Sequence, residues 1–402
     1  MTVTTPTQLD NIVRAQYHDK AIQGYKVRRL YDALAMDMPK EDANFLGTSY
    51  NVSFMHALQP TETVISQVAD INPQAMSDST ASVTPTSFAD AIQFSELMKA
   101  EAYTNLNGKG GDAYFAVGQA MTESLEVLAK KVALAGSWVR RGAARASLDA
   151  GTATHNMSYA VLLNDMALLK GAKAPWFVDG NGNNPMAIMN PRVINDLLIG
   201  ASEPLLSISL YQDKGYLVSG EVGMLAGCRI TANENAHVFG GAGAANGTAV
   251  STTISAAVAA GATTCTLTVV GSLAAGMHLT VGSIETAGTL YPTTERVEVV
   301  SVSGSDATIV GSGPNGGFRF AHAALSTATN ADDVYPVIYG GPQSMAKVYA
   351  SNIHGPNGWI GDPEESGLAK QWVSIAYKFY GNYGIIAQNR IMRREVSAKI
   401  DA

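Results

Sequence analysis

Six apolar residues, Met121, Leu125, Leu128, Val132, Ala135 and Val139, follow one another at steps of four, three, four, three and four. A helix is the conformation that sets such steps on one face. Residues 112–147 are therefore predicted to form one long amphipathic helix. Its ends suit the helix dipole, with Asp112 in the first turn and Arg140, Arg141 and Arg145 near the last. At ~1.5 Å per residue it would span about 50 Å. Gly136 and Gly142 are soft points at which it bends or ends.

Two amphipathic segments precede that helix. Leu9, Ile12, Val13, Tyr17 and Ala21 recur at helical steps, and Val27, Leu30, Tyr31 and Leu34 continue the stripe past Gly24 up to Pro39. Such an arm needs a surface to lie against. Residues 50–100 then read as a long two-stranded hairpin. Val52, Phe54 and residues 63–68 give one strand, and Phe88, Ile92 and Phe94 the other. Residues 70–86, rich in Ser, Thr and Pro, give a wide polar tip. A two-stranded hairpin is marginal alone in water, so it packs on its own domain or on a neighbour.

After the long helix the pattern is mixed. Residues 159–170 read as a short helix, and 176–178 and 186–189 as short buried strands around the turn at 179–182. Asn190-Pro191 marks a helix start that continues to Ile199. Residues 223–230 read as a turn into a strand. At Gly240 the composition shifts. Residues 240–331 are dense in Gly, Ala, Ser and Thr, lack lysine, and have Arg296 and Arg319 as their cations. Short strands at 265–270, 277–281, 296–302 and 307–310 predict a small all-β module inserted in the chain. Strands at 334–339 and 346–349 follow. Residues 372–380 alternate strongly, Gly381 to Gly384 read as a turn, and 385–392 as the return strand.

The composition narrows the function. The chain has 402 residues, long enough for more than one domain, yet charged residues make up 15%, well below the usual ~25%. So little polar cover points to a surface buried by partners, or else to a low-charge monomer. The net charge of −7 argues against a sequence-specific nucleic-acid binder, though not against a protein that encloses nucleic acid. Cys228 and Cys265 form no metal spacing, and a reduced protein fits them better than a bridge. Neither a signal peptide nor an ~18-residue apolar span is evident.

A search for chemistry predicts no catalytic residue, no cofactor and no metal. Gly311-Ser312-Gly313-Pro314-Asn315-Gly316 has glycine spacing of a dinucleotide loop, but no helix follows it to hold a pyrophosphate, so it reads as a turn. His18, His56, His155, His237, His278, His322 and His354 form no ligand pair, and Glu364-Glu365 beside Pro363 reads as a solvated loop. The compact basic clusters are Arg140, Arg141, Arg145 and Arg390, Arg393, Arg394. For the first, phosphate contact competes with helix-end complementation and salt bridges between subunits, and the latter two are the plainer readings.

The order of the elements resembles the Hong Kong 97-type capsid fold of tailed phages, an α+β fold. Residues 1–46 resemble its N-terminal arm, 47–104 its E-loop hairpin, and 105–157 its peripheral domain with the spine helix at 112–147. Residues 158–239 resemble the axial domain, with Met189-Asn190-Pro191 at a strand-to-helix step and 220–230 at the family's G-x-x-G-x-x-x-G turn and strand. Residues 240–331 would be an inserted β domain, 332–371 the axial return, and 372–402 the closing strands of the peripheral domain.

That resemblance implies a major capsid protein, not an enzyme, that self-assembles into hexamers and pentamers of an icosahedral shell around phage DNA. It implies a virion protein assembled in the host cytoplasm, with a separate scaffolding protein, a portal, decoration proteins in some relatives, non-specific DNA contact and no membrane. The arm and hairpin would extend over neighbours, and Gly24, Gly108, Gly110 and Gly111 would be the pliable joints. The alternatives are an encapsulin-like shell around protein cargo and an extracellular β-rich adhesion or tail protein.

Overall fold

The computed structural model describes residues 29–40, 49–55, 58, 60, 74–95, 98, 112–172, 185–200, 221–245, 250–283, 293–341, 344–350, 357–366 and 371–401. The expected helix over 8–28, the strands over 63–68 and 176–178, and Gly24, Gly108, Gly110 and Gly111 lie outside these residues. In chain order the first strands are β1 (Ala35–Lys40), β2 (Tyr50–Met55), β3 (Asp78–Val83) and β4 (Thr86–Ser95). Helix α1 (Asp112–Leu134), β5 (Val139–Arg141), α2 (Tyr159–Gly171), β6 (Met186–Met189), α3 (Pro191–Gly200), β7 (Glu221–Leu225) and β8 (Cys228–Ala232) follow. Next come β9 (Ser251–Thr253), β10 (Thr264–Thr266), β11 (His278–Val281), β12 (Glu295–Ser303), β13 (Asp306–Val310) and β14 (Thr327–Thr329). The last six are β15 (Tyr335–Gly340), β16 (Met345–Ala350), β17 (Trp359–Ile360), β18 (Glu364–Ser366), β19 (Trp372–Ile385) and β20 (Met392–Val396). The chain divides into two compact units, the smaller one holding 87–123 and 357–379 among its described parts.

In the smaller unit the first half of β19 pairs with β17, β18 and β4. Its alternation works as the sequence suggests: Val373, Ile375 and Tyr377 are buried against Phe94, Ala113 and Val117. Glu364 and Glu365, expected in a loop, sit in β18 because that segment pairs with β19 through Glu364↔Ser374 and Glu365↔Val373.

The larger unit is built on a sheet in the order β5-β20-β15-β6-β8-β7. Helices α2 and α3 bury Leu162, Leu169, Val193 and Leu197 with its residues Met189, Tyr339 and Met392. A second cluster joins Leu134, Leu148, Ile188, Phe239 and Ile338 to Leu30, Tyr31 and Leu34. Leu30, Tyr31 and Leu34 of the expected stripe are thus buried, but not in an α-helix. A 3-10 turn at Asp32–Leu34 leads directly into β1. The strand wins because β1 has a parallel partner in β16, from Ala35↔Met345 to Lys40↔Ala350, which local periodicity does not disclose.

Two further expectations change. Helix α1 stops at Leu134, so at ~1.5 Å per residue it is about 34 Å long, and Val139 and Arg140 belong to β5. The chain then turns because β5 pairs in parallel with β20, Arg393↔Val139 and Arg394↔Arg140. Gly381 to Gly384 are not a turn. Strand β19 runs through them, pairing Tyr349↔Gly381 and Ala346↔Gly384 with β16, and β20 pairs with β15 instead of returning along β19.

Residues 251–329 carry a six-stranded sheet in the order β10-β13-β12-β11-β14-β9. Its two end strands also meet. Ile254 bridges Leu267, Ser255 N–H donates to the Thr266 carbonyl at 2.8 Å, and Thr268 N–H donates to that of Thr253 at 2.8 Å. The sheet therefore closes into a barrel, which removes both open edges. Leu267, Leu279, Val281, Val299, Ile309 and Phe318 fill it. The turn 311–316 ends on Gly311 N–H bonded to the Gly316 carbonyl at 2.9 Å. Paired segments around Phe239↔Val334 and Ala245↔Ala331 carry the chain into and out of the barrel.

Candidate functional site

Strands β2 and β3 form a two-stranded sheet, from Tyr50↔Val83 to Met55↔Asp78. The second strand comes from residues expected in the polar tip, while Phe88, Ile92 and Phe94, expected to pair with β2, lie in β4, which pairs with β19 instead. Among the described side chains the apolar anchor of the β2–β3 hairpin is at its base. Val83 is buried with Ala346, Val348 and Ile386, and Tyr50 packs beside them. A Cβ on Gly384 would lie 2.3 Å from a Val83 methyl carbon, so this glycine makes room for the Val83 side chain. At the far end Met55 is 74% exposed and Met76 65%.

Glu126 holds the segment before β1. Its helix turns it inward, and it is buried. Its Oε1 accepts the Leu30 and Tyr31 N–H groups at 3.0 Å each, and Oε2 accepts that of Asp32 at 3.4 Å. Burial pushes the Glu126 carboxyl above its ordinary range despite these three donors, and Asp32 adds to the rise. Asp32 moves the other way. Burial raises it, but the Tyr383 hydroxyl at 2.6 Å, Lys347 at 3.0 Å and Arg29 outweigh that and hold it low.

Arg141 and Arg145 of the first arginine cluster and Arg393 of the second surround Glu395. Arg141 Nε lies 2.5 Å from Oε2, Arg145 makes a two-point contact with both oxygens, and Arg393 Nε lies 3.0 Å from Oε1. Glu395 is fully buried and Arg393 nearly so. Burial raises the Glu395 carboxyl, but hydrogen bonds from Arg145 and Arg141 outweigh it and lower the pKa. These arginines serve an ion cluster inside one chain, not the helix end that the sequence suggested, because α1 has already ended. Arg394 turns to the other face and meets Asp165 at 3.3 Å.

A third network ties the barrel to the core. Arg296, on β12, reaches Asp333 at 2.8 Å and Asp401 at 3.1 Å. Asp401 also takes Arg192 at 2.6 Å and the Tyr335 hydroxyl at 2.5 Å. A cleft of ≈ 450 Å³ opens beside Arg192, Arg296, Asp333 and Tyr335. Glu234, Thr280, Thr294 and Glu295 also line it.

The remaining residues singled out from sequence have structural places. His155 Nδ1 accepts the Asp149 N–H at 3.1 Å. His237 stacks edge-on against Phe239. His322 meets Glu295 at 2.8 Å, and that carboxylate also accepts the Arg319 and Phe320 N–H groups. His278 is held below its ordinary range by burial and by Arg296. Cys228 and Cys265 are both free and buried. His18, His56 and His354 lie outside the described residues. Among the described residues no group of three His, Cys, Asp or Glu side chains could hold a metal ion. Sequence reasoning missed Glu126, Glu395 and Asp401.

No protein-family model matches the chain, and no curated protein matches it in sequence. Its fold, by contrast, is found in solved structures. It is similar to the capsid of Ralstonia phage GP4 at a TM-score of 0.58 and 10% identity, over 99% of each chain. It is similar to the capsid asymmetric unit of cyanophage Pam1 at 0.55 and 13% identity, over 97% of each. The capsid structure of cyanophage P-SCSP1u matches at 0.52 and 11% identity, over 96% of this chain and 93% of that one.

Proposed function

We propose, from a fold that this chain shares with phage capsid proteins, that it is the major capsid protein of a tailed phage. It is a structural subunit, not an enzyme, and its work is to assemble into hexamers and pentamers of a closed shell around packaged DNA. The observation that carries this reading is the extent of the likeness: the match to the GP4 capsid covers 99% of each chain. A shared module grafted on another protein would match in part.

In this reading the parts are those of the Hong Kong 97-type fold. Residues 1–46 are the arm, 47–104 the E-loop, 105–157 and 372–402 the peripheral domain, 158–239 and 332–371 the axial domain, and 240–331 an inserted β domain. A spine helix that ends at Leu134 and a hairpin packed at its base fit these roles. Burial of the hairpin's apolar side chains on a neighbour, at ~25 cal/mol per Å², becomes cooperative when every subunit does it. Scaffolding and portal proteins are its expected assembly partners, packaged DNA touches it without sequence preference, and the virion is its final location.

Electron microscopy of the purified protein, expressed with and without a scaffolding protein, tests the reading. Closed shells or five- and six-fold rings are expected. A monomer under every condition would overturn it, and shells with protein cargo and no capacity for DNA would redirect it to a cellular compartment.

A further inference from the structure

We infer that two oppositely charged sheet edges pair between copies of this chain: the arginine edge at β5 on one subunit and the acidic edge at β18 on the next. The inference rests on the shell reading and names a contact within it. Strand β5 pairs with β20 alone among the described residues, so its other side is open. Arg140 and Arg141 are exposed there. Behind them the charges do not balance. Arg141, Arg145 and Arg393 share Glu395, and the buried Nη1 of Arg393 has no hydrogen-bond partner among the described residues. On the other face Arg140 and Arg394 share Asp165, so five arginines stand against two carboxylates and the edge keeps a surplus of positive charge.

An anion answers it, and a copy of this chain is the better source than nucleic acid. The chain carries 34 acidic against 27 basic side chains. Glu364 is exposed on β18, and Asp362 and Glu365, which take part in contacts of their own, are exposed on either side of it in the chain. Strand β18 pairs with β19 alone, so it too has an open side among the described residues. Charge on a short edge strand repels an edge of the same sign. It accepts one of opposite sign, which gives specificity as well as attraction. Because the two patches differ, each copy offers one and receives the other. Such heterologous contacts generate rings when the rotation closes.

Charge reversal tests the pairing. Arg140→Glu and Glu364→Lys are made singly and together, and the critical concentration for shell assembly is read by sedimentation, with a thermal melt of the free subunit as the folding control. Each single variant is expected to raise the critical concentration about fivefold or more, and the double variant to bring it back near the wild-type value. Wild-type shells with singles that assemble normally, or a double variant no better than the singles, overturn the edge contact and leave the shell reading standing. No shells from the wild type overturn both. Loss of duplex-DNA binding by Arg140→Glu with assembly intact assigns the cluster to phosphate instead.

Discussion

Glu126 and Glu395 are both buried carboxylates, yet their environments drive them in opposite directions. Glu126 has backbone donors but no cation, and burial leaves its pKa raised. A raised folded pKa contributes stability below the ordinary carboxylate range that fades as pH rises through the folded value. Glu126→Gln keeps an acceptor for Leu30 and Tyr31 and cannot ionise. Urea unfolding is expected to show the variant gaining on the wild type as pH rises. Glu126→Ala leaves the three N–H groups without their acceptor and is expected to cost about 2–4 kcal/mol. Glu395 is the reverse case, a lowered carboxyl among arginines. Its contribution is complete above the ordinary range, ~4.3, and is lost as pH falls through the folded value. Glu395→Gln is expected to cost about 3–5 kcal/mol near neutrality, with the gap to wild type closing in acid. Glu126 had a legible signal, since it lies three residues before Ala129 and seven before Ala133, on the buried face. Glu395 had none, because its partners Arg141 and Arg145 lie some 250 positions away.

At the scale of elements, local pattern succeeded where local physics decides. Helix α1 starts at Asp112, α3 starts at Pro191, and β6 and β15 lie where apolar runs placed them. It failed where a distant partner decides. Residues 78–83 looked like a polar tip and are a strand, because β2 offers them a ladder. Gly384 looked like a turn and is a strand residue whose missing side chain admits Val83. Gly384→Ala is therefore expected to destabilise the hairpin's base by about 1–3 kcal/mol, and Val83→Ala in the same chain to recover part of that, as read by thermal denaturation. In the barrel, β9 and β14 are three residues each and gave no alternation to read, so closure was invisible from sequence. Closure nevertheless has a consequence. With its own core and no open edge, a fragment of residues 246–331 is expected to unfold cooperatively when expressed alone, as followed by circular dichroism.

Across the whole molecule, parts that bury their own apolar faces are joined to a hairpin whose described apolar anchor is at its base. The barrel and the two-sided sheet of the larger unit bury their own apolar faces. Strands β2 and β3 meet the fold at Tyr50 and Val83, and leave Met55 and Met76 to solvent. Hydrogen–deuterium exchange of the free subunit and of the assembled shell, compared peptide by peptide over 50–55 and 78–83, shows whether neighbours cover this hairpin. Slower exchange across both strands on assembly is the expected result; equal exchange in the two states would mean that the hairpin plays no part in joining subunits.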